Sequence, residues 1–154
     1  MPCKIGDVGI WRLLDWHGLF RSPEDLFPNA PEDVARIVED LAPGSVDAAR
    51  GRLILPVQGF LLKTSGATIL VDACIGNHKT VGFDGWAGRD DTRFLAGLTA
   101  AGLTPADVDV VFCTHLHVDH FGWNTRLENG QWVPTFPNAR YLFPAEDEAH
   151  YGET

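Results

Sequence analysis

The part of the chain richest in reactive side chains is Thr114-His115-Leu116-His117-Val118-Asp119-His120-Phe121-Gly122. In extended backbone, residues two apart point the same way, so His115 and His117 can converge on one cation with Leu116 turned into the apolar layer. A turn must come next, helped by Gly122, and it brings Asp119 and His120 to the same mouth. Imidazole nitrogens with a carboxylate oxygen suit zinc, and also iron or manganese. The bland alternative is a set of ordinary surface or core histidines. With six histidines in 154 residues, a chance match to this spacing is roughly a one-in-a-thousand event. His17, His78 and His150 stand apart from the cluster and read as solvated side chains.

The elements around the motif are read from pattern. Val108-Asp109-Val110-Val111-Phe112-Cys113 is a short, nearly continuous apolar run and reads as a buried strand. The motif sits at its C-terminal end, where open α/β sheets place their ligands. Arg52 to Lys63 and Ala67 to Ala73 are two β-rich runs joined by Thr64-Ser65-Gly66. Asp72 therefore ends the second of them. Between the two regions, Asn77 to Asp90 reads as loop, and Asp91 caps a helix with Phe94, Leu95, Leu98 and Ala101 on one face, stopped by Gly102. Upstream, Val8 to Leu14 reads as a first strand and Asp15 to Asn29 as a long loop. Pro31 opens a helix carrying Val34, Ile37, Val38 and Leu41. Downstream, Asn129-Gly130 marks a hairpin. Ala139 to Phe143 is another strand, and Pro144 opens a helix with Glu146, Asp147 and Glu148 in its first turn.

The whole chain narrows the function. It has 154 residues, a length suited to one domain, and 45% hydrophobic against 21% charged residues, the balance of a globular protein. No apolar run approaches the ~20 residues of a membrane span. The N-terminus lacks the basic-then-apolar pattern of a signal peptide. A net charge of −9 without a Lys/Arg cluster argues against a nucleic-acid partner. Cys3, Cys74 and Cys113 are odd in number and form no C-x-x-C pair, which points to free thiols and a cytoplasmic location.

The segment His115-x-His117-x-Asp119-His120 resembles the signature of the metallo-β-lactamase superfamily of hydrolases. Leu70-Val71-Asp72 with Gly76, and Gly102 to Asp109, are similar to the segments that precede that signature. Phe121-Gly122-Trp123-Asn124 and Phe136 to Tyr141 resemble the branch containing bacterial lactonases and organophosphate hydrolases. The likeness covers about residues 52 to 148 well and the first fifty poorly. It implies an α/β (α+β) fold, the αβ/βα sandwich, of which this chain holds the N-terminal half as a single domain over 1–154, truncated at its C-terminus. It implies that His115 and His117 bind one metal, that Asp119 and His120 bind a second, and that Asp119 handles the proton of the attacking water. Asp72 would accept an N–H from a ligand histidine and fix its tautomer; the alternative is a carboxylate that only caps a loop. The implied cofactor is zinc, two ions in the complete protein. The implied reaction is attack of a metal-bound hydroxide on a small ester, lactone or phosphotriester.

Downstream of the motif the chain departs from the family. A further histidine for the first metal, a bridging acidic residue and a distal histidine for the second cannot be assigned. The expected partners are thus a small-molecule substrate and a missing C-terminal half, with neither nucleic acid nor membrane. The competing expectation is a non-catalytic fragment. Phe121 and Trp123 are either walls of a substrate pocket or core.

Overall fold

The computed structural model describes residues 3–30 and 32–151. They form two compact units, one of residues 3–15 with 57–151 and one of residues 16–30 with 32–56.

The larger unit is organised by a mixed sheet. Its strands are β1 (Cys3–Ile5), the first part of β2 (Val8–Leu19), the second part of β4 (Arg52–Lys63), β5 (Thr68–Val71), β6 (Val110–Phe112) and β9 (Arg140–Leu142), in the order β1-β2-β4-β5-β6-β9. β4 and β5 form the expected hairpin, with Thr64 Oγ1 accepting from the amides of Gly66 and Ala67 in its turn. β5, β6 and β9 are parallel, so their C-terminal ends lie at one edge. The chain crosses from β5 to β6 through α3 (Arg93–Ala100), which buries Phe94 and Leu98. Asp91 accepts the Arg93 amide at 2.7 Å, and Thr92 is the N-cap residue. β7 (Thr125–Glu128) and β8 (Gln131–Pro134) are a separate hairpin. Asn129 (φ 50°) and Gly130 (φ 79°) make its two-residue turn, the left-handed pair a right-twisted hairpin needs. The chain then reaches α4 (Ala145–Tyr151).

Strand register divides the sheet into two unlike faces. Leu61, Leu70 and Val111 stand side by side and are fully buried. One residue along, Phe60, Val71, Phe112 and Leu142 form a row across four strands, with Phe60 39% and Phe112 and Leu142 each 41% exposed. Leu62, Ile69 and Val110 make a second, half-buried row on that face. The continuous apolar run of β6 reads as a strand buried on both sides. The structure corrects this, because one of its faces is an open apolar ladder.

The smaller unit holds the end of β2, the start of β4, α1 (Pro23–Leu26), α2 (Val34–Leu41) and β3 (Val46–Asp47). Ser22 caps α1 by accepting the Asp25 amide, with Pro23 as its first residue. Glu39 on α2 accepts the amides of Gly44 and Val46, which fixes the exit from that helix. The loop expected from Asp15 to Asn29 is in part strand and helix. Backbone pairing of Phe20 and Arg21 with Leu53, which is distant in sequence, extends β2 where local glycine and proline suggest an end. Pro31, expected to open the second helix, lies outside the described residues.

Candidate metal centre

The motif leaves β6 at its C-terminal end and runs through bends into a turn closed by the His120 amide on the His117 carbonyl, 2.9 Å away. His115 and His117 are therefore not on an extended strand, which corrects the expectation of simple alternation. Their rings meet nonetheless, edge to face, with centroids 4.6 Å apart. The His115 and His120 rings lie at 3.8 Å. Leu116 does not enter the core: with Val118, Phe121, Asn124, Phe143, Glu148 and Tyr151 it lines a cavity of about 500 Å³. Phe121 is thus a pocket wall. Trp123, only 2% exposed and stacked on Phe94 at 5.5 Å, is core.

Asp72 comes immediately after β5 and adopts φ 60°, a conformation that non-glycine residues hold only where their surroundings impose it. Gly59 on β4 makes room for it, since a Cβ there would lie 2.2 Å from the Asp72 carbonyl oxygen. Asp72 accepts the Thr114 amide (2.8 Å) and hydroxyl (3.0 Å), and its Oδ2 stands 3.0 Å from His120 Nδ1. That nitrogen is buried and does not meet hydrogen-bond geometry with any partner. The other ring nitrogen, Nε2, lies 3.4 Å from Asp119 Oδ2. A tetrahedron of zinc bonds of about 2.0–2.1 Å has edges of about 3.3–3.4 Å. His120 Nε2 and Asp119 Oδ2 are spaced as one such edge. By donor chemistry all four residues suit a zinc-like ion, and Asp119 and His120 suit it by spacing as well. They do not complete a coordination sphere: among the described residues no group of three or more His, Cys, Asp or Glu side chains is arranged to hold an ion.

The crowding sets the electrostatics. Burial opposes charge on His120, but the carboxylates of Asp119 and Asp72 outweigh it and raise its pKa to about 9. Burial would raise Asp72 and Asp119, yet His120 holds both below the usual carboxylate value, with Thr114 assisting at Asp72. His115 is lowered by burial and by the neighbouring His120 and His117. This predicts a pH profile for chelator-treated protein. The raised histidine stabilises fully below its unfolded pKa of about 6.5 and loses that contribution as pH rises through about 9. The lowered carboxylates contribute above their unfolded pKa of about 3.9 and lose it as pH falls through their folded values. His115, lowered in the fold, instead costs stability as pH falls below about 6.5. Urea midpoints should therefore peak near pH ~6.5 and decline on both sides, and a His120→Gln variant should lose most of the decline on the alkaline side.

Three contributors emerge only in the folded chain. Asp15 is fully buried, and Arg89, whose side chain is 9% exposed, pairs with it at 3.0 Å. The signal for Asp15 is its place two residues after buried Leu13, on the inward face of a strand. Asp147 on α4 accepts the Leu116 amide at 2.7 Å and ties that helix to the motif. His17 and His150 are exposed, as expected, and His78 lies 3.8 Å from Asp90.

The profile of the Metallo-beta-lactamase superfamily matches residues 52–154, two thirds of the chain, and the chain belongs to that superfamily. The fold is shared with solved structures. A protein described as a probable metal-dependent hydrolase from Staphylococcus aureus superposes with TM-score 0.76 at 24% identity, over 98% of this chain and 52% of its own. The hydrolase AbOPH of the beta-lactamase superfamily gives TM-score 0.71 at 28% identity, over 96% and 45%. AidC, a dizinc quorum-quenching lactonase in complex with a hexanoyl-homoserine product, gives 0.76 at 21%, over 100% and 47%. This chain thus spans about half the length of each. No curated protein matches it. No helix of the described residues is long and apolar enough to cross a membrane.

Proposed function

We propose that the protein supplies the N-terminal half of a metal-dependent hydrolase acting on a small ester, lactone or phosphotriester. The observation that carries this is the spacing of His120 Nε2 and Asp119 Oδ2, 3.4 Å, beside the paired rings of His115 and His117. His115 and His117 would hold one ion, and Asp119 and His120 a second. Zinc is the expected metal, with iron or manganese as alternatives. Bound ions would supply Lewis acidity and lower the pKa of water from 15.7 to about 7. Asp119, at the mouth, would accept the proton of the attacking water. Asp72 would hold Nδ1–H of His120 and leave Nε2 free as a donor. The apolar cavity beside the motif would receive the substrate's non-reacting part. A net charge of −9 favours a small-molecule substrate over nucleic acid. The free cysteines are in keeping with a cytoplasmic protein.

We also propose that a C-terminal half is required. The open row Phe60–Val71–Phe112–Leu142 is a face for a further apolar layer, and catalytic zinc ordinarily takes three protein ligands where each pair here offers two. The specific competing reading, a non-catalytic fragment, is favoured by the same shortage of donors.

The test is turnover of an acyl lactone, an aryl ester and a phosphotriester by the zinc-loaded 154-residue chain, and by protein carrying any sequence the gene encodes after Thr154. The expected result is little turnover by the first and enzymatic rates by the second on at least one substrate. No turnover by either, with zinc bound, would leave the non-catalytic reading. A further expected outcome concerns Asp72→Ala, which should weaken zinc binding by about 10–100-fold in a competition titration. An unchanged affinity would reduce Asp72 to a loop cap.

A further inference from the structure

Resting on the metal reading above, we propose that Asp15 is a positioning residue for the metal centre, its carboxylate clamping together the two loops that carry Asp72 and the His-x-His-x-Asp-His run. The carboxylate is fully buried and takes donors from both loops. Oδ2 accepts the amides of Ile75 (3.0 Å) and Gly76 (3.2 Å), which lie just after Asp72 on the first loop. Oδ1 accepts the indole Nε1–H of Trp123 (3.1 Å), which lies just after His120 on the second. Arg89 closes the set, donating to both carboxylate oxygens and to the Asp15 carbonyl. Among the described residues no Asp15 hydrogen bond goes to a motif side chain, so its action on them runs through backbone.

The geometry shows why these loops need holding. Asp72 (φ 60°) and Cys74 (φ 47°) are both left-handed without being glycine, and such residues persist only where the surroundings over-determine them. The two loops are stitched by three backbone hydrogen bonds: Ala73 amide to His120 carbonyl (2.7 Å), Gly122 amide to Cys74 carbonyl (2.6 Å), and Trp123 amide to Ala73 carbonyl (2.7 Å). These bonds set where Asp72 stands relative to His120. Asp15 grips the chain on either side of that seam. An acceptor-only group is required, because each of its hydrogen-bond partners is an N–H. Asparagine offers one acceptor oxygen, and its amide protons would oppose the donors on the other side.

The experiment compares wild type with Asp15→Asn in the 154-residue chain, by cobalt(II) titration followed in the visible spectrum and by amide exchange of chelator-treated protein. The proposal expects cobalt affinity to fall roughly tenfold or more. It also expects the Ala73, Gly122 and Trp123 amides to exchange faster, while those of Leu70 and Val111 in β5 and β6 are protected as before. A purely structural ion pair would instead loosen all these amides alike. Should Asp15→Asn fail to fold, Trp123→Phe keeps the ring on Phe94, removes one strap, and is expected to weaken cobalt binding severalfold. Variants that fold and bind cobalt as wild type does, or exchange that accelerates uniformly, would overturn the clamp. Wild-type protein that takes up no cobalt would instead overturn the metal reading and the clamp's role with it.

Discussion

Gly122→Ala is expected to destabilise the protein by about 3 kcal/mol or more, at the top of the range for overpacking. A Cβ at this position would stand 1.7 Å from the Ile75 carbonyl oxygen, 2.0 Å from its carbon and 2.8 Å from the Cys74 oxygen. All three are backbone atoms, so no side chain can swing aside. Relief requires the loops to part, which breaks the hydrogen bond from the Gly122 amide to the Cys74 carbonyl and the two beside it. The same contact constrains Gly76, whose own Cβ would lie 2.6 Å from the Gly122 carbonyl carbon. Urea unfolding would read the effect as a lowered midpoint at unchanged slope. A loss under about 1 kcal/mol would mean that the close approach of the loops is not a feature of the folded protein.

Asp119→Asn should lower kcat/KM by about 10²–10⁴-fold in protein extended to an active form, the usual worth of a positioned proton acceptor. The substitution keeps the shape of the side chain and one acceptor oxygen. It removes the charge and the ability to take a proton at neutral pH. Because Asp119 lies 3.4 Å from His120 Nε2, some of the loss will be metal affinity, and activity must be compared at saturating zinc. A variant that keeps ordinary turnover there would move the proton-accepting role to another residue.

The candidate site was legible because its donors are contiguous. Four metal-ligating side chains in six residues, set at the end of an apolar run, need no tertiary information to be noticed. Asp72 is legible as a carboxylate at a strand end, and its tie to a ligand histidine comes from the resemblance of Leu70-Val71-Asp72 with Gly76 to the superfamily. Asn129-Gly130 announced its hairpin through turn chemistry alone. What sequence hid was set by long-range contact. β2 runs on to Leu19 because its far end pairs with β4. Asp15 reads locally as the start of a loop, and its role depends on donors 60 to 108 residues away. The open face of β6 was equally hidden, because an apolar residue reads the same whether or not anything covers it. Phe121 and Trp123, two residues apart, went to different fates: one lines the cavity and one is held between Phe94 and Asp15.

His115, His117, Asp119 and His120 are proposed to hold metal ions. A cobalt(II) titration of chelator-treated protein tests it most directly, comparing wild type with His115→Ala/His117→Ala and with Asp119→Asn/His120→Gln. Wild type is expected to show visible absorption from nitrogen and oxygen ligands, with each double variant losing the contribution of its own pair and affinity falling at least 100-fold, or about 2.7 kcal/mol. Absorption and affinity that survive in both double variants, or a folded wild-type chain that takes up no cobalt, would contradict it.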